Sequence, residues 1–294
     1  MQHIRSLLFV PGDSERKIAK ALECPADALI LDLEDAVTPD RKPAAREICR
    51  AALTAGSKGP KLFVRINALD TPDAVHDLAA VMRGGPFGIM VPKCQSARDL
   101  LRLGDMLTVL EAREGLPPQQ TVLLPIVTET GRAMLGFGSY AETQVPRLFG
   151  MLWGGEDLAA DLGAKTNRDK SNRDEGGGYA PPYHLARSLC LYAAAATGSA
   201  AIDAVFTDIR NERDLEIEAV AAARSGFVAK AAIHPGQVEI INRAFMPNAD
   251  EVAHAKRVID AFAAADGKGV AVLDGKMLDR PHQRAALRVL AAAE

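Results

Sequence analysis

Two carboxylates follow consecutive apolar segments of the sequence and could share a cation. Glu129 ends the segment TVLLPIVTE, residues 121–129, and Asp157 ends LFGMLWGGED, residues 148–157. Carboxylates held side by side raise each other's pKa unless a cation lies between them. Two hard oxygen ligands suit Mg²⁺, which takes water or substrate oxygens for its other ligands. The sequence therefore indicates a magnesium site, with a salt bridge or a helix cap as the alternative role of these carboxylates.

A second candidate is an arginine inside an apolar strand. Arg65 lies in FVRIN, residues 63–67, where a buried guanidinium needs a partner. Its planar fork matches a carboxylate or a developing enolate oxygen, and a structural salt bridge to Glu34 or Asp35 is an equal alternative. Glu34 and Asp35 end another apolar segment, so they could hydrogen-bond metal-bound water or cap a helix.

The tripeptide His234-Pro235-Gly236 follows the last apolar segment of the pattern. Backbone N–H groups near a helix start could bind phosphate or thioester oxygens there. A lone histidine is more often structural, so both roles stay open for His234. Lys93, after another apolar segment, could meet an anionic cofactor, but the sequence by itself favours a solvated surface charge.

Short apolar segments that alternate with helix-like stretches must position these side chains. The segments are mostly continuous rather than alternating, as expected for strands of a parallel sheet that helices cover. Eight segments are predicted as strands: residues 6–12, 28–34, 61–67, 88–93, 121–129, 148–157, 201–207 and 229–234. Helices are predicted over 14–23, 96–114 and 212–225, the second with Ser96 as its cap and Asp99 at its third position.

Eight strands that alternate with helices fit a closed barrel or a doubly wound sheet. No GxGxxG or GxxxxGK[ST] motif follows a strand, and almost every strand ends in a polar or ionisable residue. In a barrel, the carboxyl ends of the strands converge on one face, where the active site is built. The sequence therefore predicts an α/β fold, a (β/α)₈ TIM barrel formed by residues 1–248.

Two segments lie outside this pattern. Residues 164–182 are polar and glycine-rich, which predicts a mobile loop that serves as a lid over the site or as an inert surface loop. Residues 249–294 are predicted as a C-terminal helical extension. A barrel does not need this extension, so we expect it to pack on another surface, such as a neighbouring subunit.

Composition narrows the class of protein. The chain has 294 residues, 48% of them hydrophobic, and a formal net charge of −3. That charge gives no basic field for nucleic acid or an anionic membrane. No apolar run is long enough for a signal peptide or a membrane span, and the four cysteines lack metal-ligand spacing. We therefore expect a cytoplasmic enzyme without nucleic-acid or membrane partners.

Taken together, the motifs resemble those of the citrate lyase β-subunit-like family within the HpcH/HpaI aldolase superfamily. Members of that family include malyl-CoA lyases, citramalyl-CoA lyases and the citryl-acyl-carrier-protein lyase subunit. The resemblance covers nearly the whole chain, in order and at compatible spacings. The matching segments are RSLLFVPG (5–12), LDLEDAVTPDRKPAAR (31–46), VRIN (64–67), MVPK (90–93), ET (129–130), GGEDLAADLG (154–163), GFVAKAAIHPGQVEIINRAF (226–245) and DGKMLDRP (274–281).

The resemblance implies a (β/α)₈ barrel that uses Mg²⁺, with Mn²⁺ as a possible substitute. It implies metal ligands at Glu129 and Asp157 and a substrate-binding arginine at Arg65. It also implies an oligomer, expected as a homotrimer or hexamer, in which a C-terminal segment reaches a neighbour's site. That segment would supply Asp279 as the acid/base carboxylate.

The same resemblance places Glu34 and Asp35 as supporting carboxylates and His234 and Pro235 beside an acyl-CoA. The implied reaction splits a 3-hydroxyacyl-CoA of the malyl-CoA or citramalyl-CoA type into acetyl-CoA and a 2-oxo acid, glyoxylate or pyruvate. Alternatives are a citryl-acyl-carrier-protein lyase subunit, a metal-dependent aldolase acting on free pyruvate, and a non-catalytic binding subunit.

Overall fold

The computed structural model describes residues 4–169, 178–265 and 269–293. These residues divide into two compact units, one formed by Ile4–Asn242 and the other beginning at Arg243. The division between the units thus falls after Asn242, a few residues before the boundary that the sequence predicted after residue 248.

Eight parallel strands form the sheet of the first unit. They are β1 (Ser6–Pro11), β2 (Ala28–Asp32), β3 (Lys61–Arg65), β4 (Gly88–Val91), β5 (Val122–Pro125), β6 (Gly150–Leu152), β7 (Ala200–Asp203) and β8 (Ala229–Ala232). Their order is β5-β4-β3-β2-β1-β8-β7-β6. Parallel bridges join Leu123 to Leu148 and Ile126 to Leu152, so the two end strands also meet. The predicted barrel is confirmed, and the doubly wound sheet is excluded.

Helices alternate with these strands, as predicted. They are α1 (Glu15–Leu22), α2 (Lys42–Ala55), α3 (Pro72–Val81), α4 (Ala97–Glu114), α5 (Gly131–Leu135), α6 (Gly138–Glu142), α7 (Gly155–Asp161), α8 (Pro181–Thr197), α9 (Glu212–Ser225) and α10 (Val238–Ala244). Ser96 and Asp99 form the capping box predicted for α4. Gly226 ends α9 at φ 109°, a conformation that favours glycine.

The barrel interior is apolar toward the amino ends of the strands. Phe87 and Phe149 precede β4 and β6, and both rings pack on Phe63, with centroid distances of 5.2 and 5.6 Å. Leu7 and Ile30 belong to the same buried cluster. Side chains therefore fill the barrel from this end.

The second unit contains more than the predicted helix. It consists of α11 (Ala249–Ala264), the antiparallel strands β9 (Val270–Leu273) and β10 (Lys276–Asp279), and α12 (Arg280–Ala292). Its core includes Val258, Phe262 and Leu278. Asp274 and Gly275 both have positive φ, as in a two-residue hairpin turn. The Asp-Gly pair was the sequence signal for this hairpin, which the prediction of a helical extension did not include.

Among the described residues, no helix combines the length and the hydropathy that crossing a membrane requires.

Candidate active site

A cavity of about 340 Å³ opens at the carboxyl ends of the strands. Its lining includes four of the site residues predicted from sequence: Asp35, Arg65, Glu129 and Asp157. The remaining lining is largely apolar or aromatic, with Phe9, Ile126, Trp153, Tyr179 and Val205 among it. The barrel thus brings together side chains that lie far apart in sequence, in a cavity large enough for a small molecule.

Glu129 lines this cavity but is almost completely buried, with a relative exposure of only 2%. Burial, reinforced by the negative charge of Asp157, raises the pKa of Glu129 to about 8. One Glu129 oxygen accepts a hydrogen bond from the backbone N–H of Lys93. A Cβ at Gly154 would come within 2.9 Å of Cγ of Glu129, which explains a glycine at this position of the GGED motif. The environment therefore disfavours an isolated charged Glu129 and favours a cation beside it.

Arg65 is held mainly by an acid that the sequence analysis did not single out. Its Nε and one terminal nitrogen donate to the two oxygens of Asp32 at 2.8 and 2.7 Å, and its other terminal nitrogen lies 3.0 Å from Glu34. The guanidinium also stacks over Phe9, 4.9 Å from the ring centroid. Burial lowers the pKa of Arg65, but Asp32 and Glu34 outweigh it and raise the pKa above its ordinary value. Arg65 is thus a fixed, permanently charged group in the pocket wall.

The sequence signal for Asp32 was an acid inside ALILD, a strand that is fully buried. Asp32 pairs directly with Arg65 in the register between β2 and β3. Its carboxylate also accepts from the backbone N–H groups of Glu34 and Ala36, at 2.9 and 3.2 Å. The structural salt bridge considered for Arg65 therefore exists to Glu34, but Asp32 is the stronger partner.

Lys93 is not the solvated surface charge that the sequence favoured. Its ammonium contacts Glu34 and lies 3.6 Å from Asp35 and 3.7 Å from Asp157. The interpretation was wrong because Lys93 follows β4 directly, so the barrel carries it to the same face as the acids. Burial raises the pKa of Glu34, although the charges of Arg65 and Lys93 oppose that effect.

Carboxylates outnumber cations in this cluster, which consists of Asp32, Glu34, Asp35, Glu129, Asp157, Arg65 and Lys93. Its formal charge is −3, from five acids and two bases, if all are ionised. Within the described ranges, no group of three or more His, Cys, Asp or Glu side chains is arranged to hold a metal ion. A divalent cation would suit this excess of charge, with few ligands from the protein.

In the segment after β8, side chains of the same segment accept hydrogen bonds from the backbone N–H groups. Nδ1 of His234 accepts from the N–H of Gly236 at 3.1 Å. Oε1 of Gln237 accepts from the N–H groups of Ile233 and His234, at 2.9 and 3.2 Å. These N–H groups already have protein acceptors, so they do not form the open anion-binding turn considered from sequence. The expected place of His234 and Pro235 beside an acyl-CoA stays a prediction.

Asp279 lies in the second unit, where it caps the start of α12. One of its oxygens lies 2.6 Å from Nδ1 of His282, and about half of its side chain is exposed. Asp274, the other acid of the hairpin, pairs with Arg257. This acid caps a helix of its own chain, and its role in a neighbour's site stays a prediction.

The chain on either side of the predicted lid is anchored beside the cavity. Residues 170–177, the centre of that loop, lie outside the described residues. On its two sides, Arg168 donates to the hydroxyl of Tyr179 at 2.8 Å and to Glu218 at 2.8 Å. The ring of Tyr179 meets Trp153 edge-on at 4.9 Å, and Trp153 donates to buried Asp203 at 2.7 Å. This contact makes Trp153 part of the pocket wall as well as barrel packing.

Comparison with known proteins agrees with this geometry. The profile of the HpcH/HpaI aldolase/citrate lyase family matches residues 5–235. A (3S)-malyl-CoA thioesterase of Cereibacter sphaeroides is 37% identical over 99% of this chain and 94% of its own length. The citrate lyase β subunit of Escherichia coli is 35% identical over 99% of this chain and 93% of its own length.

Solved structures give the same result. Protein CitE of Mycobacterium tuberculosis, crystallised with magnesium, acetoacetate and coenzyme A, superimposes with a TM-score of 0.78 at 34% identity, covering 99% of this chain and 98% of CitE. The resemblance inferred from the motifs is therefore confirmed. The chain belongs to the HpcH/HpaI aldolase/citrate lyase family, a family of carbon–carbon lyases.

Proposed function

We propose that this chain is a Mg²⁺-dependent lyase that splits a 3-hydroxyacyl-CoA of the malyl-CoA or citramalyl-CoA type into acetyl-CoA and a 2-oxo acid. The observation that carries the proposal is the position of Glu129 and Asp157 in one cavity with the fixed guanidinium of Arg65. Two acids for a metal and one cation for an anionic substrate are the parts that such a reaction requires.

The side chains fit a hard divalent cation, Mg²⁺ or Mn²⁺. Glu129 and Asp157 would supply carboxylate oxygens, and a cation would offset both the burial and the Asp157 charge that raise the pKa of Glu129. Glu34 and Asp35 lie beside Arg65 and Lys93, where they would hydrogen-bond metal-bound water. The CitE structures support this assignment, because CitE binds magnesium together with small oxo acids.

Each residue then has a role in cleavage. The bound cation would supply Lewis acidity, lowering the pKa of the substrate hydroxyl and fixing its orientation. Arg65 lines the pocket between Asp32 and Glu34, and from there it would stabilise negative charge on the substrate oxygens. The proton that leaves the substrate hydroxyl passes to solvent water, and when the carbon–carbon bond breaks, the electron pair moves to the acetyl-CoA fragment. Asp279 of an adjacent subunit delivers the proton to that carbon.

The direct test is condensation. The protein is incubated with Mg²⁺, acetyl-CoA and either glyoxylate or pyruvate, and the CoA products are identified by mass. Malyl-CoA from glyoxylate or citramalyl-CoA from pyruvate would assign the oxo acid. Formation of neither, by protein that binds both Mg²⁺ and CoA, would contradict the proposed reaction.

A second candidate reaction is thioester hydrolysis, because several relatives at 36–37% identity are (3S)-malyl-CoA thioesterases. The two reactions divide the same substrate differently. Cleavage of (3S)-malyl-CoA gives acetyl-CoA and glyoxylate, whereas hydrolysis consumes water and gives malate and free CoA. Free CoA with malate as the only products would assign this chain to the thioesterase reaction.

Thermal stability separates CoA from carrier-protein and aldolase chemistry. We expect acetyl-CoA at about 100 times its Kd to stabilise the protein by about 2.7 kcal/mol, because it binds only the folded state. The measurement is a calorimetric scan with and without acetyl-CoA. No shift would favour the aldolase acting on free pyruvate, and a weak shift would favour a subunit that takes its acyl group from a carrier protein.

Arg65→Lys should be nearly as damaging to kcat as Arg65→Ala. Lysine retains the charge but cannot bind both oxygens of Asp32 while also facing the pocket. The measurement is kcat under saturating substrate, with circular dichroism as the control for folding. Wild-type kcat in the lysine variant would make Arg65 a structural cation only.

A further inference from the structure

Lys93 brings a positive charge into the space where a divalent cation would act. Its ammonium contacts Glu34 and lies 3.6 Å from Asp35 and 3.7 Å from Asp157. Only about a third of the side chain is exposed, so solvent screens these interactions less than it would at the surface. The ammonium therefore competes for Asp157, one of the two proposed metal ligands.

The backbone of Lys93 is also adapted to this position. Its φ of 50° is a left-handed conformation that few residues other than glycine adopt. In that conformation its N–H donates to a carboxylate oxygen of Glu129. One residue thus reaches both proposed metal ligands, Glu129 through the main chain and Asp157 through the side chain.

We propose that Lys93 is a positioning residue that acts as the resident counter-cation of the carboxylate cluster. It holds Glu34, Asp35 and Asp157 together when no divalent cation is bound, and it weakens the affinity for that cation by competition and repulsion. The inference rests on the proposed function, because it assumes that Glu129 and Asp157 bind the metal.

The inference has a consequence for substrate binding. An oxo acid brings a carboxylate into the cluster and offsets the charge of Lys93. Metal and oxo acid therefore bind cooperatively, each raising the affinity for the other by the same factor. Without the ammonium, the part of this coupling that depends on Lys93 is lost, and only direct coordination of the oxo acid to the metal remains.

The test uses Mn²⁺ as the probe, with free Mn²⁺ measured by electron paramagnetic resonance in the metal-stripped protein. Lys93→Met keeps the length of the side chain and removes its charge, so we expect Mn²⁺ to bind about threefold to tenfold more tightly than to wild type. Pyruvate should lower the Kd for Mn²⁺ in wild type and have a smaller effect in the variant. In excess chelator, the melting temperature of the variant should fall.

Three variants complete the design. Lys93→Arg retains the charge and should keep a Kd near that of wild type. Lys58→Met makes the same change of net charge at an exposed residue before β3 and should have no effect. Lys93→Gly should also tighten Mn²⁺ binding, but it should lose less thermal stability than Lys93→Met because glycine adopts a positive φ freely.

The possible failures are distinguishable. If wild type binds Mn²⁺ and both uncharged variants bind it equally or more weakly, the counter-cation role of Lys93 is wrong while the metal site stands. If wild type binds no Mn²⁺ with or without pyruvate, the proposed metal site fails and the inference fails with it.

Discussion

Glu129→Gln and Asp157→Asn should each lower kcat/KM by about 10²–10³, because each removes one of two charged oxygen ligands from a site with few others. Both changes keep the size of the side chain, so the barrel should remain folded. Affinity for Mn²⁺ should fall in parallel with activity, which calorimetric titration measures independently of turnover.

Glu156→Gln is the matched control for this pair. Glu156 lines the same cavity next to Asp157, but it accepts a hydrogen bond from Asn167 at 2.7 Å. We expect its amide variant to bind Mn²⁺ with an affinity near that of wild type. Full activity of Glu129→Gln in excess chelator would remove the metal assignment altogether.

Thermal stability gives a second measure of Glu129. Its pKa is raised from 4.5 to about 8 in the folded protein, so the ionised carboxylate opposes folding. In chelator, this cost is absent below pH 4.5, grows as the pH rises, and is complete above about 8. Because glutamine does not ionise, Glu129→Gln should melt at a higher temperature than wild type, by a margin that increases across this range.

Asp279→Ala and Arg65→Ala should each be nearly inactive as pure oligomers, and mixed oligomers of the two should regain activity. If Asp279 acts in a neighbour's barrel, random mixing of equal amounts gives about one quarter of sites with both a wild-type barrel and a wild-type extension. The activity of mixtures, made by co-expression or by dissociation and reassembly, tests the shared site.

Asp274→Ala is the control from the same hairpin. Asp274 pairs with Arg257 and occupies the turn, so its loss should affect stability more than activity. Loss of activity in Asp274→Ala but not in Asp279→Ala would move the acid/base role to Asp274. If the mixtures stay inactive although hetero-oligomers form, the site is not shared between subunits. Glu129→Gln replaces Arg65→Ala if the latter does not fold.

The sequence by itself determined the barrel and most of the acids at its mouth. Continuous apolar segments of strand length identify parallel strands that are covered on both faces. The position of Glu129 and Asp157 at the ends of consecutive segments follows from this pattern, because parallel strands present their carboxyl ends on one face. Both inferences depend only on the succession of residue types along the chain, which can be read directly from the sequence.

Only the tertiary structure decided which charges meet. Asp32 pairs with Arg65 because the register of β2 and β3 sets them side by side, 33 residues apart in sequence. Lys93 joins the acids because the loop after β4 places its N–H against Glu129 and its ammonium against Glu34. An ion pair depends on distances of a few ångströms between groups far apart in the chain. The strand register and the closure of the barrel set those distances, and neither can be read from a short segment of the sequence.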